Sequence, residues 1–269
     1  MTGFKQHRFW DTIMATRFSV VVEAPENEAE RVRAVAEEAF FEIRRLESFL
    51  SRFIEDSEIS QINRLRNGEF IVVSPETHRC LELALEAKRM SRGYFDVAYL
   101  SEGILHNREA FTLLSRPLRV MSQAESLRLD LGGIGKGFTL EQIREIPLRY
   151  GYRKVLFCAD TSTILALEPP HGTKGWPVQL ELDDKIETLE LTDESISCSG
   201  KTVRSEHIFD TRQRKFATLR NRVYVRMPSA ALADALSTAA MMMPDDCMER
   251  LCHQAIVGKI YAQGRAVTP

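Results

Sequence analysis

The residues with the clearest capacity for chemistry form a glycine-rich segment at positions 130–137, which reads DLGGIGKG. Glycines allow a backbone to approach a ligand closely, and the first turn of a following helix offers unpaired N–H groups to phosphate. Lys136 adds a positive charge. The spacing differs from a Walker A loop, since Phe138 stands where that loop needs a hydroxyl, and it differs from the dinucleotide fingerprint. The segment indicates a phosphate contact, with a plain tight turn before a helix as the alternative.

A second candidate site lies at positions 233–238, which read ADALST. Asp234 and Thr238 are four residues apart, so both project from the same face of a helix. A carboxylate among small apolar residues costs free energy unless it is paired or binds a cation. A carboxylate, a hydroxyl and nearby carbonyl oxygens suit Mg²⁺. The alternative is that Asp234 caps a helix or pairs with an arginine.

A third candidate is His207, which is followed three residues later by Asp210. A carboxylate at this spacing can orient a histidine that acts as a general base. An isolated histidine also occurs commonly as a structural residue, and the sequence leaves both interpretations open.

The elements that position these residues are read from the spacing of apolar side chains and from turn residues. Helices are predicted at residues 28–53, 58–64, 75–90 (with Ser74 as N-cap), from the glycine segment to about 150, and 230–243. Strands are predicted at residues 18–23, 70–73, 127–131, 155–157, 163–167, 178–182, 188–191, 195–197 and 222–226. Long helices mixed with short strands predict an α+β fold, in one compact unit spanning residues 1–269.

Composition excludes several classes of protein. The chain has 269 residues, 44% of them apolar, and a formal net charge of −2, whereas a general nucleic-acid binder carries a basic excess. It contains no apolar stretch near the roughly 18 residues of a membrane span and no recognisable leader, so we expect a cytoplasmic protein without membrane attachment. Five cysteines without a CxxC pair indicate reduced thiols rather than disulfides or a zinc site.

Seven short motifs follow one another in an order that resembles the FAD:protein FMN transferase (ApbE) family. Residues 14–16 (MAT) resemble its Met-Gly-Thr, residues 51–53 (SRF) with 57–60 (SEIS) and Asn63 its SxF…SEIS…N, and residues 93–96 (GYFD) its GxFD. Residues 130–137 resemble DLGGIAKG, and residues 199–200, 207–210 and 233–238 resemble its SG, HIID and ADALSTA. The resemblance covers almost the whole chain and implies mixed and antiparallel sheets with packed helices.

The resemblance implies a reaction and two ligands. Members of the family split FAD and pass FMN to a serine or threonine of an acceptor protein, with release of AMP. Mg²⁺ is expected at Asp234, Thr238 and the carbonyl groups of Ser237 and Gly135. An acceptor flavoprotein or flavin-modified subunit is therefore the expected partner, and a homodimer is a further possibility.

The same resemblance assigns the remaining site residues. His207 and Asp210 are expected at the chemistry. Nucleotide contacts are expected from nine residues spread along the chain: Thr16, Phe53, Asp96, Gly132, Gly133, Lys136, Asp160, Thr161 and Ser199.

Three departures from the family pattern leave two other functions open. Asp160-Thr161 stands where the family has a glycine pair, Ala15 replaces the glycine of Met-Gly-Thr, and residues 210–215 (DTRQRK) lack the proline and glycine of DPxTG. Asp160 adds bulk and negative charge where a diphosphate is expected. The alternatives are an FAD pyrophosphatase, in which water attacks, and a non-catalytic paralogue that binds flavin or a protein.

Overall fold

The computed structural model describes residues 3–104, 108–182, 185–200, 209–210, 215–216, 219–254, 258–262 and 265–267. Its helices are α1 (Ala29–Leu50), α2 (Glu58–Ile62), α3 (Pro75–Met90), α4 (Gly135–Ile143), α5 (Glu145–Arg149), α6 (Ala230–Ala240) and α7 (Asp245–Cys252), with a 3₁₀ turn at Glu26–Glu28. Of the described helices, none is both long enough and apolar enough to cross a bilayer.

The strands are short apart from the first two. They are β1 (Phe4–Ile13), β2 (Thr16–Pro25), β3 (Phe70–Val72), β4 (Phe111–Ser115), β5 (Leu118–Ser122), β6 (Val155–Ala159), β7 (Thr163–Ala166), β8 (Trp176–Leu182), β9 (Lys185–Leu191), β10 (Glu194–Gly200), β11 (Phe209–Asp210), β12 (Lys215–Phe216), β13 (Arg222–Met227), β14 (Lys259–Ala262) and β15 (Arg265–Val267).

An eight-stranded antiparallel sheet organises the domain, in the order β1-β2-β6-β7-β10-β13-β14-β15. A separate three-stranded sheet has the order β3-β5-β4, and β8 pairs with β9 as a hairpin. The turn between β1 and β2 consists of Met14 and Ala15, with φ angles of 53° and 52°. Positive φ at both positions is the geometry of a type I′ turn, whose twist matches that of the flanking strands.

Helices cover one face of the large sheet and the β8–β9 hairpin covers part of the other. Helix α1 packs against β1 and β2, and α6 packs against β10 and β13. Val32, Val35 and Ile43 of α1 are fully buried at helical spacing, as the apolar pattern predicts. On the opposite face, Trp176 and Leu180 of β8 pack against the sheet. Mixed helices and antiparallel sheets in one compact domain confirm the predicted α+β class.

Several predicted boundaries need correction. The strand predicted at residues 127–131 is wrong, since this segment belongs to no described strand. The helix predicted to end at residue 243 ends at Ala240, and the helix predicted to end at residue 53 ends at Leu50. Strands β1, β4, β5, β14 and β15 and helix α7 were not predicted from the sequence.

Candidate functional site

A cleft of about 430 Å³ opens between three parts of the chain. Its walls come from the β1–β2 turn (residues 14–16), the end of α1 with the loop after it (residues 47–54), and the glycine segment. The volume lies within the range of small-molecule sites. Four of the residues assigned above from the sequence, namely Thr16, Phe53, Gly132 and Lys136, line this cleft, as does Gly135.

Two glycines of the glycine segment face the protein interior. A Cβ atom added to Gly133 would lie 3.1 Å from the Phe95 ring and 3.3 Å from Thr238 Oγ1. One added to Gly137 would lie 2.1 Å from the carbonyl oxygen of Ala230. A side chain at Gly137 would overlap the backbone of α6, and one at Gly133 would be tight against Phe95 and Thr238, so these glycines allow the start of α4 to pack directly against α6. Their small size therefore serves helix packing, whereas Gly135 has open space around it.

Asp234 of α6 joins the start of α4 to the sheet. Its side chain is buried, and Oδ2 accepts a hydrogen bond of 3.1 Å from the Gly137 backbone N–H. The hydroxyl groups of Thr163 and Ser197 each lie 3.3 Å from Oδ1. Lys136 Nζ lies 3.8 Å from Oδ2, on the side of the cleft. Asp234 thus caps α4 from a neighbouring helix, which is one of the two interpretations that the sequence left open.

Hydroxyl groups and a backbone carbonyl surround the same part of α6. Ser199 Oγ lies 2.7 Å from Ser237 Oγ and 3.3 Å from Thr238 Oγ1. Both α6 hydroxyls donate to the carbonyl oxygen of Asp234, at 2.9 Å from Ser237 and 3.2 Å from Thr238. The carbonyl group of Gly135 accepts a hydrogen bond from Thr139 Oγ1 at 2.8 Å.

The atoms around Asp234 that could bind a metal ion are all oxygens, and of these groups only the Asp234 carboxylate carries a charge. Within the described residues, no group of three His, Cys, Asp or Glu side chains is arranged to hold a metal ion. The set around Asp234 therefore does not suit zinc, which prefers nitrogen and sulfur ligands. It fits Mg²⁺, which binds proteins through one or two carboxylates and completes its coordination with water and phosphate oxygens.

The mouth of the cleft carries an ion pair and an exposed aromatic ring. Asp130 Oδ2 lies 3.4 Å from Arg52 Nη2 and 3.3 Å from the Tyr99 hydroxyl, and Asp130 Oδ1 accepts a bond of 2.9 Å from the Gly132 N–H. Burial raises the pKa of Tyr99, and the negative charge of Asp130 raises it further. The Phe53 side chain is 83% exposed, and the Arg52 guanidinium lies 4.6 Å from its ring centre. Sequence reasoning did not assign Arg52, Tyr99 or Asp130, although Asp130 begins the glycine segment.

The family model of the ApbE family matches residues 14–258. This chain belongs to the ApbE family. The match takes in the turn at Met14, the glycine segment and Asp234, so it covers every part of the cleft described above.

Solved structures with the ApbE fold resemble this chain over nearly its full length. The apo form of Pseudomonas stutzeri flavinyl transferase ApbE has a TM-score of 0.83 at 17% identity, and the match covers 99% of this chain and 94% of that one. Flavin transferase ApbE from Vibrio cholerae has a TM-score of 0.79 at 19% identity, covering 97% of both chains. The ApbE protein from Thermotoga maritima has a TM-score of 0.81 at 21% identity, covering 97% and 96%. A search of curated proteins gives no match.

Five of the nine residues that the ApbE resemblance assigned to the nucleotide are not among those lining the cleft, namely Asp96, Gly133, Asp160, Thr161 and Ser199. Asp96 pairs with Lys88 at 2.9 Å and accepts a bond from the Ala98 N–H. The pKa of Lys88 is raised: burial opposes the charge, but Asp96 and Glu109 together more than offset it.

Asp160 and Thr161 lie exposed in the turn between β6 and β7. Asp160 has a φ of 50°, a left-handed conformation that favours glycine. Its carboxylate lies 4.0 Å from Arg17 Nη2, and its N–H donates to the Arg17 carbonyl oxygen at 2.7 Å. The glycine of the ApbE pattern thus corresponds to a backbone requirement, which this chain meets with an aspartate.

The two residues expected at the chemistry are described only in part. His207 lies outside the described residues, and Asp210 belongs to β11, whose side chains are not described. Both assignments stay predictions.

Proposed function

We propose that this chain is a Mg²⁺-dependent FAD:protein FMN transferase, which moves FMN from FAD to a serine or threonine of an acceptor protein and releases AMP. The observation that carries the proposal is the buried carboxylate of Asp234, which lies 3.8 Å from the cleft-lining Lys136. Membership of the ApbE family and the flavin transferase names of the similar structures support it.

The cleft combines an exposed aromatic ring with a positively charged side chain. Phe53 offers an exposed ring on which a flavin or adenine ring can stack. Lys136, which also lines the cleft, offers positive charge to phosphate. This combination matches a dinucleotide, which has planar rings and an anionic diphosphate.

The residues around Asp234 would hold the metal ion. Asp234 and Thr238 would supply side-chain oxygens, and Gly135 and Ser237 would supply carbonyl oxygens. When bound, Mg²⁺ neutralises charge on the diphosphate oxygens. Ser199, whose hydroxyl contacts both Ser237 and Thr238, would keep these two side chains in place.

The transfer step is a substitution at phosphorus. The hydroxyl oxygen of the acceptor bonds to the phosphorus of the FMN half, and the bond from that phosphorus to the bridging oxygen breaks, so that AMP leaves with the bridging oxygen. His207, oriented by Asp210, accepts the proton of the attacking hydroxyl. Lys136 stabilises the negative charge that develops on the phosphoryl oxygens.

The test is incubation of the full chain with FAD and Mg²⁺, with and without peptides that contain serine or threonine. Release of AMP with FMN fluorescence on the peptide supports the transferase. Equal release of AMP and free FMN without peptide identifies the pyrophosphatase. Absence of AMP under every condition, with FAD still bound, identifies the non-catalytic paralogue, which the departures from the family pattern at Asp160-Thr161 and at residues 210–215 favour.

A further inference from the structure

Strand β1 forms one edge of the eight-stranded sheet. Among the described strands it pairs with β2 alone, over all ten of its residues. Only His7 and Ile13 of this strand are buried. A long exposed edge strand is a template for pairing with another chain, and monomeric proteins usually shorten or cover such an edge.

The backbone groups that face outward belong to alternate residues. The two-residue turn makes Ile13 and Thr16 a hydrogen-bonded pair, so the odd-numbered residues of β1 bond to β2. The even-numbered residues then direct their N–H and C=O groups away from the sheet. In agreement, the Thr12 N–H donates to the Asp11 carboxylate at 2.7 Å instead of to β2.

Two side chains on this edge are exposed and lie on the same face of the sheet. Trp10 is 64% exposed, and Arg8 is exposed two residues before it. Arg8 forms no ion pair with any described residue. An arginine and a tryptophan can form a cation–π contact, yet among the described residues neither Arg8 nor Trp10 takes part in one.

We propose that β1 binds β1 of a second copy of this chain, antiparallel, with the two-fold axis at Phe9. In this register Arg8 lies directly opposite the partner's Trp10, and the symmetry repeats the contact. The outward-facing even-numbered residues meet each other, so the strands complete a hydrogen-bonded ladder.

Charge selects this register over its neighbours. An axis at Arg8 places two guanidinium groups opposite each other, and an axis at Asp11 does the same with two carboxylates. An axis at Trp10 places Arg8 opposite Thr12 and loses the cation–π contact. A shift by one residue moves every side chain to the wrong face of the sheet. The axis at Phe9 places no two like charges opposite each other.

The first test is the mass of the full chain in solution, by sedimentation velocity at several concentrations. Wild type is expected to be a dimer and Trp10→Lys a monomer, since lysine cannot accept the cation–π contact and repels Arg8. Ile186→Lys is the matched control, because Ile186 is a similarly exposed apolar residue on β9, at 68%. A monomeric wild type, or a folded Trp10→Lys variant that stays dimeric, overturns the proposal.

The second test addresses the register and does not depend on the Trp10 variant. Phe9→Cys places two thiols opposite each other at the axis, where the Cα atoms of a non-hydrogen-bonded pair are about 4.5 Å apart and a disulfide can form. Mild oxidation should link this variant into a covalent dimer. Thr12→Cys and wild type, which keeps its five cysteines, should stay unlinked. Equal linkage of Phe9→Cys and Thr12→Cys, or no linkage of either, overturns the register.

Discussion

The side-chain amide of Asn63 binds the backbone of Leu129 through both its donor and its acceptor. Asn63 Nδ2 donates to the Leu129 carbonyl oxygen at 3.0 Å, and the Leu129 N–H donates to Asn63 Oδ1 at 2.6 Å. The amide thus satisfies the groups that a neighbouring strand would satisfy in a sheet. It holds the chain one residue before Asp130, where the glycine segment begins.

We expect Asn63→Leu to lower the free energy of unfolding by about 1–3 kcal/mol, because two partly buried backbone groups lose their partner. FAD affinity should fall as well, since Asp130 and the glycine segment would lose their anchor. Urea unfolding and titration with FAD measure the two effects. Asn67→Leu, at an exposed turn position, is the control, and equal effects of the two substitutions would contradict the role of Asn63.

Asp234→Asn separates the capping of α4 by this residue from its proposed binding of Mg²⁺. Asparagine keeps an oxygen that accepts the Gly137 N–H but removes the charge that attracts a cation. We expect the variant to fold and to lose the Mg²⁺-dependent gain in FAD affinity, measured by calorimetry with and without Mg²⁺. Asp234→Ala should lose the gain and, in addition, about 1–3 kcal/mol of stability. A wild-type response to Mg²⁺ in Asp234→Asn would remove the metal from this site.

Replacing Asp160 and Thr161 together by glycine should leave FAD affinity nearly unchanged, because neither residue lines the cleft. The negative charge of Asp160 is also partly offset by Arg17, whose Nη2 lies 4.0 Å from the carboxylate. Glycine adopts the left-handed conformation of residue 160 without strain, and this gain offsets the conformational entropy that glycine adds to the unfolded chain. The melting temperature should therefore change little. Weaker FAD binding by a folded variant would identify Asp160 as a ligand contact.

His207→Ala should slow AMP release by about 10²–10⁴-fold if this residue is the general base. The measurement is the initial rate of AMP formation from FAD with Mg²⁺ and acceptor peptide. His253→Ala is a suitable control, because His253 lies at the end of α7. Unchanged rates in His207→Ala would assign proton removal to another group.

Two thiols should react slowly in the folded protein. Burial raises the pKa of Cys158 and of Cys198 from 9.0 to about 11. At pH 8 the thiolate fraction then falls roughly 100-fold, so alkylation by iodoacetamide should slow by a similar factor relative to the unfolded chain. The raised pKa values also make the stability of the fold depend on pH. The contribution of the two neutral thiols to the free energy of unfolding is complete below about pH 9 and is lost as the pH rises through 11. Mass spectrometry of the alkylated peptides measures the rates, and rapid reaction at pH 8 would contradict the burial of these thiols.

The sequence by itself determined the long helices and the order of the motifs. Helix α3 begins at the Ser74–Pro75 signal, where Ser74 Oγ accepts from the Thr77 N–H, because capping depends on residues adjacent in the chain. Helices α1 and α6 could likewise be predicted, because the spacing of apolar residues in α1 and the small residues of α6 are local patterns in the sequence. The oxygen ligands proposed at Asp234 and Thr238 follow from one helical turn.

Only the tertiary structure decided what surrounds these residues. Asp234 caps α4, which begins at Gly135, 99 positions earlier in the chain (234 − 135). No local sequence pattern predicts a contact between residues so far apart. The incorrect strand prediction at residues 127–131 has the same origin, since the N–H groups of Arg128, Leu129 and Asp130 bond to Ser101, Asn63 and the Val97 carbonyl and not to a strand of a sheet. Long-range partners of this kind depend on how the helices and sheet pack together, and that packing is what separates Asp96 and Asp160 from the wall of the cleft while it brings Arg52 to Asp130.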